Sequence, residues 1–226
     1  MAAPSKPANV WRNFTVKTLD TTLYLVTDST GLSEEVFLEK VELALQGGVT
    51  FLQLREKERS TREYIRLARQ VHALALRYQV PLVVDDRVDV ALAAEVDGVH
   101  VGQSDMPVEL ARTILGPEKI VGATAKTVPQ ALEALEQGAD YLGVGAIYPT
   151  TTKVITIMTS TDTLGEICRA VPIPVNAIGG LNRDNLGVLK GIPIGGICVV
   201  SAIMKAADPR AAAEGLRQAF DELRKG

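Results

Sequence analysis

Arg55 and Lys57 stand two residues apart in the run Gln53-Leu54-Arg55-Glu56-Lys57. A planar guanidinium fork beside a mobile ammonium suits the oxygens of a diphosphate. If this run closes a β-strand, alternation puts Gln53, Arg55 and Lys57 on one side. The plainer reading is a solvated charged loop. Two further runs each offer carboxylates, Asp85-Asp86-Arg87 and Gly102-Gln103-Ser104-Asp105. Carboxylates brought together repel unless a cation neutralises them. Mg²⁺ is an economical partner for Asp86 and Asp105, since it takes one or two carboxylates and fills its shell with water and phosphate oxygens. The alternative is that both aspartates cap the helices that follow them.

A second set of residues suits another anion. Tyr148-Pro149-Thr150-Thr151-Thr152-Lys153 combines three hydroxyls with an ammonium, and would otherwise be a polar surface loop. Ile178-Gly179-Gly180 and Val200-Ser201-Ala202 end two apolar runs. Glycine lets backbone N–H groups approach phosphate oxygens. His72 and His100 read as structural, His72 in a helical pattern and His100 inside an apolar strand. No cluster with zinc-ligand spacing and no serine nucleophile elbow stands out.

These residues need elements that bring them to one place. Eight short apolar runs, at 23–26, 50–54, 81–84, 98–101, 119–122, 141–144, 174–178 and 196–200, alternate with helical patterns. Ser60 with Glu63 and Thr127 with Gln130 have capping-box spacing; Gly47-Gly48 ends the first helix, Pro107 begins the fourth, and Asp208-Pro209 caps the last. The seventh helix is expected over 182–189. Eight strand–helix units predict an α/β fold of the (β/α)₈ TIM-barrel class. The rival, a doubly wound sheet, wants G-x-G-x-x-G after a strand, and Gly143-Val144-Gly145 leads only to Tyr148 where the third glycine should stand. In a barrel all the runs above lie at strand C-terminal ends, and the loops after strands seven and eight are the customary phosphate site.

The chain's 226 residues suffice for one such barrel, predicted over 21–226 behind an extension at 1–20 that is expected to pack on or near the barrel's N-terminal face. Aromatic residues make up only 4%, so the core is expected to be aliphatic. A net charge of −3, from 24 basic and 27 acidic residues with no basic stripe, does not recommend nucleic acid as a partner. No apolar run approaches the roughly 18 residues of a membrane span, and the first twenty residues lack the apolar stretch of a secretory signal. Two cysteines, Cys168 and Cys198, form no CxxC pair, and a reducing cytoplasm is the expected compartment. Phosphorylated small molecules are the expected partners, and homo-oligomerisation is left open.

Taken in order, the segments 53–57, 86–87, 98–105, 143–153, 177–180 and 200–203 resemble those of thiamine-phosphate synthases. The likeness runs from Leu23 to about Pro209. It implies a transferase that joins 4-amino-5-hydroxymethyl-2-methylpyrimidine diphosphate to a thiazole phosphate or its carboxylated form, giving thiamine phosphate and pyrophosphate. Mg²⁺ would assist departure of the diphosphate, and the thiazole nitrogen would capture the pyrimidine-methyl cation. The resemblance assigns Asp86 and Asp105 to Mg²⁺. It assigns Gln53, Leu54, Arg55, Glu56, Lys57, Asp85, Thr124 and Lys153 to the pyrimidine diphosphate, with Arg55, Lys57, Thr124 and Lys153 catalytic. Thr150, Thr151, Thr152, Gly179, Gly180, Val200 and Ser201 fall to the thiazole phosphate. The chain departs from the family pattern at Asp85, where Asn is usual, and at Thr124 and Lys126, where Ser and His are usual. The stretch 154–158 is also more apolar than usual. A thiazole phosphate isomerase on the same fold and a non-catalytic phosphate-ligand binder are the alternatives; neither needs a cationic clamp facing a carboxylate pair.

Overall fold

A computed structural model describes residues 18–150 and 158–225. Eight parallel strands form one closed barrel: β1 (Leu23–Val26), β2 (Phe51–Leu54), β3 (Leu82–Asp85), β4 (Gly98–Val101), β5 (Ile120–Ala125), β6 (Tyr141–Gly145), β7 (Val175–Ile178) and β8 (Gly196–Val199). Closure is direct, since β1 pairs with both β2 and β8. The outer layer comprises α1 (Glu34–Gln46), α2 (Thr61–Arg77), α3 (Val88–Ala94), α4 (Val108–Leu115), α5 (Val128–Glu136), α6 (Thr161–Ala170), the one-turn α7 (Ser201–Met204) and α8 (Pro209–Lys225).

Side-chain alternation sorts the strands into two cores. Leu23, Leu25, Leu52, Leu54, Leu82 and Val84 point outward and pack with the inner helix faces in an aliphatic layer. Tyr24, Val26, Phe51, Val83, Ile120, Tyr141 and Cys198 fill the barrel. The expectation of an aliphatic core therefore holds for most of the strand–helix layer, where Phe37, Tyr64 and Phe220 stand among many aliphatic residues, and fails inside. There Tyr24, Phe51 and Tyr141 meet edge to face with ring centroids 4.8–5.7 Å apart. The reason is local: Gly122 makes room, because a Cβ there would lie 2.1 Å from the Tyr141 ring. Few aromatics in the chain as a whole did not prevent their concentration in one place.

Helix starts follow their caps. Ser60 and Glu63 form the reciprocal capping box of α2. The Thr127 hydroxyl accepts from the Gln130 N–H, but the Gln130 side chain reaches back to the Lys126 N–H, one residue before the box position. Asp208 accepts from the Ala211 N–H at the start of α8. Pro107 sits at the N-cap of α4, one residue before the first helical position. The helix expected over 182–189 is reduced to a 3₁₀ turn at Leu186–Leu189. Asn182 and Asn185 spend their side chains on the Asp184 and Asn182 N–H groups, which holds the backbone in turns, and Gly187 adds no helical preference. The extension expected at 1–20 lies almost wholly outside the described residues. No helix among those described is long and apolar enough to cross a membrane, and both cysteines are free.

Candidate active site

The C-terminal ends of the strands enclose a cavity of about 380 Å³. Gln53, Arg55 and Lys57 line it from β2 and the loop after it, as alternation requires. The same alternation sends the intervening side chains away. Leu54 is fully buried in the strand–helix layer. The Glu56 carboxylate accepts from Ser29 Oγ at 2.9 Å and Arg59 Nε at 3.0 Å, tying the loop after β2 to the loop after β1. Of the five consecutive residues expected at the pyrimidine diphosphate, the structure thus brings three to the cavity and leaves Leu54 and Glu56 outside its lining.

The carboxylates arrive from β3 and β4. Asp85 ends β3, with its N–H bonded to the buried Tyr64 hydroxyl at 3.2 Å. Asp86 follows in the left-handed region, with φ of +61°. That conformation costs a non-glycine residue about 1–2 kcal/mol. Asp86 does not cap α3: the N-cap residue is Arg87, and no side chain caps it. Asp105 does not cap α4; its carboxylate accepts the Gly102 N–H at 2.8 Å. Asp86 and Asp105 come close enough for each carboxylate to act on the other. Burial, and then this neighbour, hold the Asp105 carboxyl above the usual carboxylate range, against the pull of the Gly102 N–H. Lys57 bonds both Asp85, at 2.7 Å, and Asp86. Partial burial disfavours its charge, but the two carboxylates outweigh it and raise the Lys57 pKa. Among the described residues no group of three His, Cys, Asp or Glu side chains is placed to hold a metal. A pair of neighbouring carboxylates with an ammonium drawn onto one of them is nevertheless a donor set that suits a hard divalent cation completing its shell from water and ligand oxygens.

The opposite wall is built differently. Gly179 and Gly180 after β7, Val200 and Ser201 after β8, and Thr150 after β6 line it. Gly180 has φ of +63°, and a Cβ there would lie 2.7 Å from both the Pro149 carbonyl oxygen and Tyr148 Cβ. Its own carbonyl accepts from Asn185 Nδ2 at 2.9 Å, so the loop is fixed from behind. Thr151, Thr152 and Lys153 lie outside the described residues.

Under the cavity floor runs a chain of hydrogen bonds that the sequence did not suggest. Gln53 Nε2 donates to Tyr24 Oη (2.7 Å), which meets Tyr141 Oη (2.8 Å). Tyr141 meets His100 Nδ1 (3.0 Å), and His100 Nε2 meets Thr124 Oγ1 (3.0 Å). Burial pushes both tyrosine pKa values well up, so both remain neutral donors and acceptors. Each hydroxyl has one proton to donate and can also accept, so the direction of each link depends on its neighbours. Where each tyrosine donates onward, His100 accepts at Nδ1 and carries its proton on Nε2, which leaves the Thr124 hydroxyl proton for the cavity. His100 and Thr124 line the cavity, as does Lys126. The signal for His100 was available: Val99 and Val101 point outward, so His100 must point in.

The pattern of the family described as thiamine monophosphate synthase matches residues 23–203. That span covers every strand of the barrel and every described residue of the cavity. The chain belongs to the thiamine monophosphate synthase family. Its relatives in that family include thiamine-phosphate synthase 2 of Streptococcus pneumoniae serotype 4, 54% identical over 82% of this chain and 89% of the relative. The thiamine-phosphate synthase of Clostridium tetani is 46% identical over 91% of this chain and 99% of its own length. Among solved structures, the thiamine phosphate pyrophosphorylase of Pyrococcus furiosus superposes with a TM-score of 0.82 at 41% identity, covering 90% of this chain and 97% of the other. A 3-hexulose-6-phosphate synthase superposes with a TM-score of 0.66 at 19% identity, which speaks for the fold alone. The expected barrel and family are both borne out.

Proposed function

We propose that the protein is a thiamine-phosphate synthase whose cavity holds a pyrimidine diphosphate against β2 to β5 and a thiazole phosphate against β6 to β8. One observation carries the reading. Two cations, Arg55 and Lys57, and a carboxylate pair, Asp86 and Asp105, face a glycine-lined wall across a single cavity. An isomerase of one phosphorylated ring would have no use for the charged wall.

The chemistry follows from what each group can do. Arg55 and Lys57 take diphosphate oxygens, and Gln53 and Thr124 meet the polar edge of the pyrimidine. Mg²⁺ held by Asp86 and Asp105 would supply positive charge to the departing diphosphate. The bond between the pyrimidine methylene carbon and the bridging oxygen breaks, and its electron pair leaves with the diphosphate. The thiazole nitrogen then donates its lone pair to that carbon and forms the new C–N bond. Gly180, Ser201 and Thr150 hold the thiazole phosphate so that this nitrogen faces the carbon. Thr151, Thr152 and Lys153 are carried into the site by the family resemblance, Lys153 as a further cation for the leaving group. Closing two rings, a diphosphate and a phosphate into one cavity excludes water, which would otherwise capture the same carbon.

Incubation of the protein with both substrates and Mg²⁺ is the test. The account expects thiamine phosphate and pyrophosphate in equal amounts, and none with EDTA. Pyrophosphate without thiamine phosphate, or no product at all, would overturn it.

A further inference from the structure

The diphosphate clamp already holds an anion of its own. The Asp85 carboxylate lies 2.7 Å from Lys57 Nζ and 3.7 Å from Arg55 Nε, between the two cations. It is not a loose surface group, since its side chain is only 12% exposed. Its backbone is pinned as well: the Asp85 N–H donates to Tyr64 Oη, and that hydroxyl, itself in a buried ring, donates to the Leu54 carbonyl at 2.7 Å. Lys57 is the movable partner, with its side chain 45% exposed.

The charges around the charged wall sharpen the point. Arg55, Lys57 and Lys126 stand against Asp85, Asp86 and Asp105, so the described lining is balanced without ligand. Asp86 and Asp105 have a use once a divalent cation is bound. Asp85, which the family resemblance places at the pyrimidine diphosphate, has no such use, and a phosphate oxygen that takes its place on Lys57 must displace it. A carboxylate that stays put then faces the bound diphosphate as a like charge, which weakens binding.

We infer that Asp85 is a built-in competitor for the diphosphate: it pairs Arg55 and Lys57 in the empty enzyme, lowers the affinity of the clamp, and retakes the two cations as pyrophosphate leaves. It is thus an affinity-determining residue, and it favours release of the product over its retention. This inference rests on the reading that the clamp takes a diphosphate.

The test is calorimetric titration of the full-length protein with inorganic pyrophosphate, in EDTA and again with Mg²⁺. Wild type is compared with Asp85→Asn and Asp85→Ala, each checked for folding by circular dichroism. Both variants should bind pyrophosphate about tenfold more tightly than wild type under both conditions. Pyrophosphate should also become a stronger product inhibitor of coupling by a similar factor. Unchanged or weaker affinity in both variants would overturn the inference. So would a gain confined to Asn, which would mark a new amide donor in place of a lost competitor. A loss of affinity seen only with Mg²⁺ would make Asp85 a metal ligand, and would overturn it equally. Failure of the underlying reading looks different: wild type would then form no thiamine phosphate, whatever the variants bind.

Discussion

Along β2, β3 and β4 the cavity wall carries five charged side chains, whereas along β7 and β8 it carries none among the described residues and is made of Gly179, Gly180, Ser201 and apolar side chains such as Ile178 and Val200. The charged wall is self-neutralised: Lys57 bonds two carboxylates, and Arg55 approaches one of them. The glycine wall is fixed by geometry, with Gly180 hemmed in by Tyr148 and Pro149 and its carbonyl held by Asn185. An anion arriving at the first wall must exchange ion pairs; one arriving at the second finds its site already shaped. Charge substitutions and ionic strength should therefore act on one wall, and changes of shape on the other.

The largest effect should come from Lys57→Ala, which removes a clamp cation and leaves Asp85 and Asp86 without their shared partner. Coupling turnover is expected to fall by roughly 10²–10³, with little change in the KM for the thiazole phosphate. Steady-state kinetics with each substrate varied in turn would read both numbers, and an equal rise in both KM values would break the division. Gly180→Ala should do the converse, raising the thiazole phosphate KM about tenfold and leaving the pyrimidine diphosphate KM alone. Because an alanine would have to adopt φ of +63° and its Cβ would meet the Pro149 carbonyl oxygen at 2.7 Å, it should also cost more than the roughly 1–2 kcal/mol of the backbone strain alone in denaturant unfolding.

Smaller effects sharpen the same contrast. Raising KCl from low to near-molar concentration shortens the screening length to a few Å. Pyrophosphate binding should weaken severalfold over that range, and the thiazole phosphate KM should move less, both followed in parallel titrations. Tyr141→Phe removes the hydroxyl that bridges Tyr24 and His100 beneath the floor. A buried hydrogen bond lost in this way costs about 1 kcal/mol of stability. Activity is expected to fall only severalfold, because Gln53 and Thr124 still line the cavity; a collapse to Lys57→Ala levels would move the chemistry from the charged wall to the hydrogen-bond chain.

Much of the charged wall was legible in the sequence, because its logic is local. Strand alternation places Gln53, Arg55 and Lys57 together, and the same rule, applied strictly, sends Leu54 and Glu56 away. Asp86 and Asp105 were legible as carboxylates at the ends of two neighbouring strands. The structure removes the capping alternative for both. Gly179 and Gly180 were legible through the fold, since the loops after strands seven and eight of such a barrel are where phosphates bind. The hydrogen-bond chain was not. Its members are 29, 117, 41 and 24 residues apart in successive links, and each of Tyr24, His100 and Tyr141 sits in an apolar strand where a core reading is natural. Only barrel closure brings them into line. The salt bridges of Asp85 were equally hidden: its departure from the family pattern could be read, but not that it lies between the two cations. The helix expected at 182–189 failed because side-chain turns at Asn182 and Asn185 compete with helical hydrogen bonds.

The division of the cavity is tested most directly by a crystal structure of the protein with thiamine phosphate, pyrophosphate and Mg²⁺ bound together. The account predicts pyrophosphate against Arg55 and Lys57, the metal ion on Asp86 and Asp105, and the phosphate of thiamine phosphate against Gly180 and Ser201. Pyrophosphate on the glycine wall, or a metal ion away from both aspartates, would contradict it.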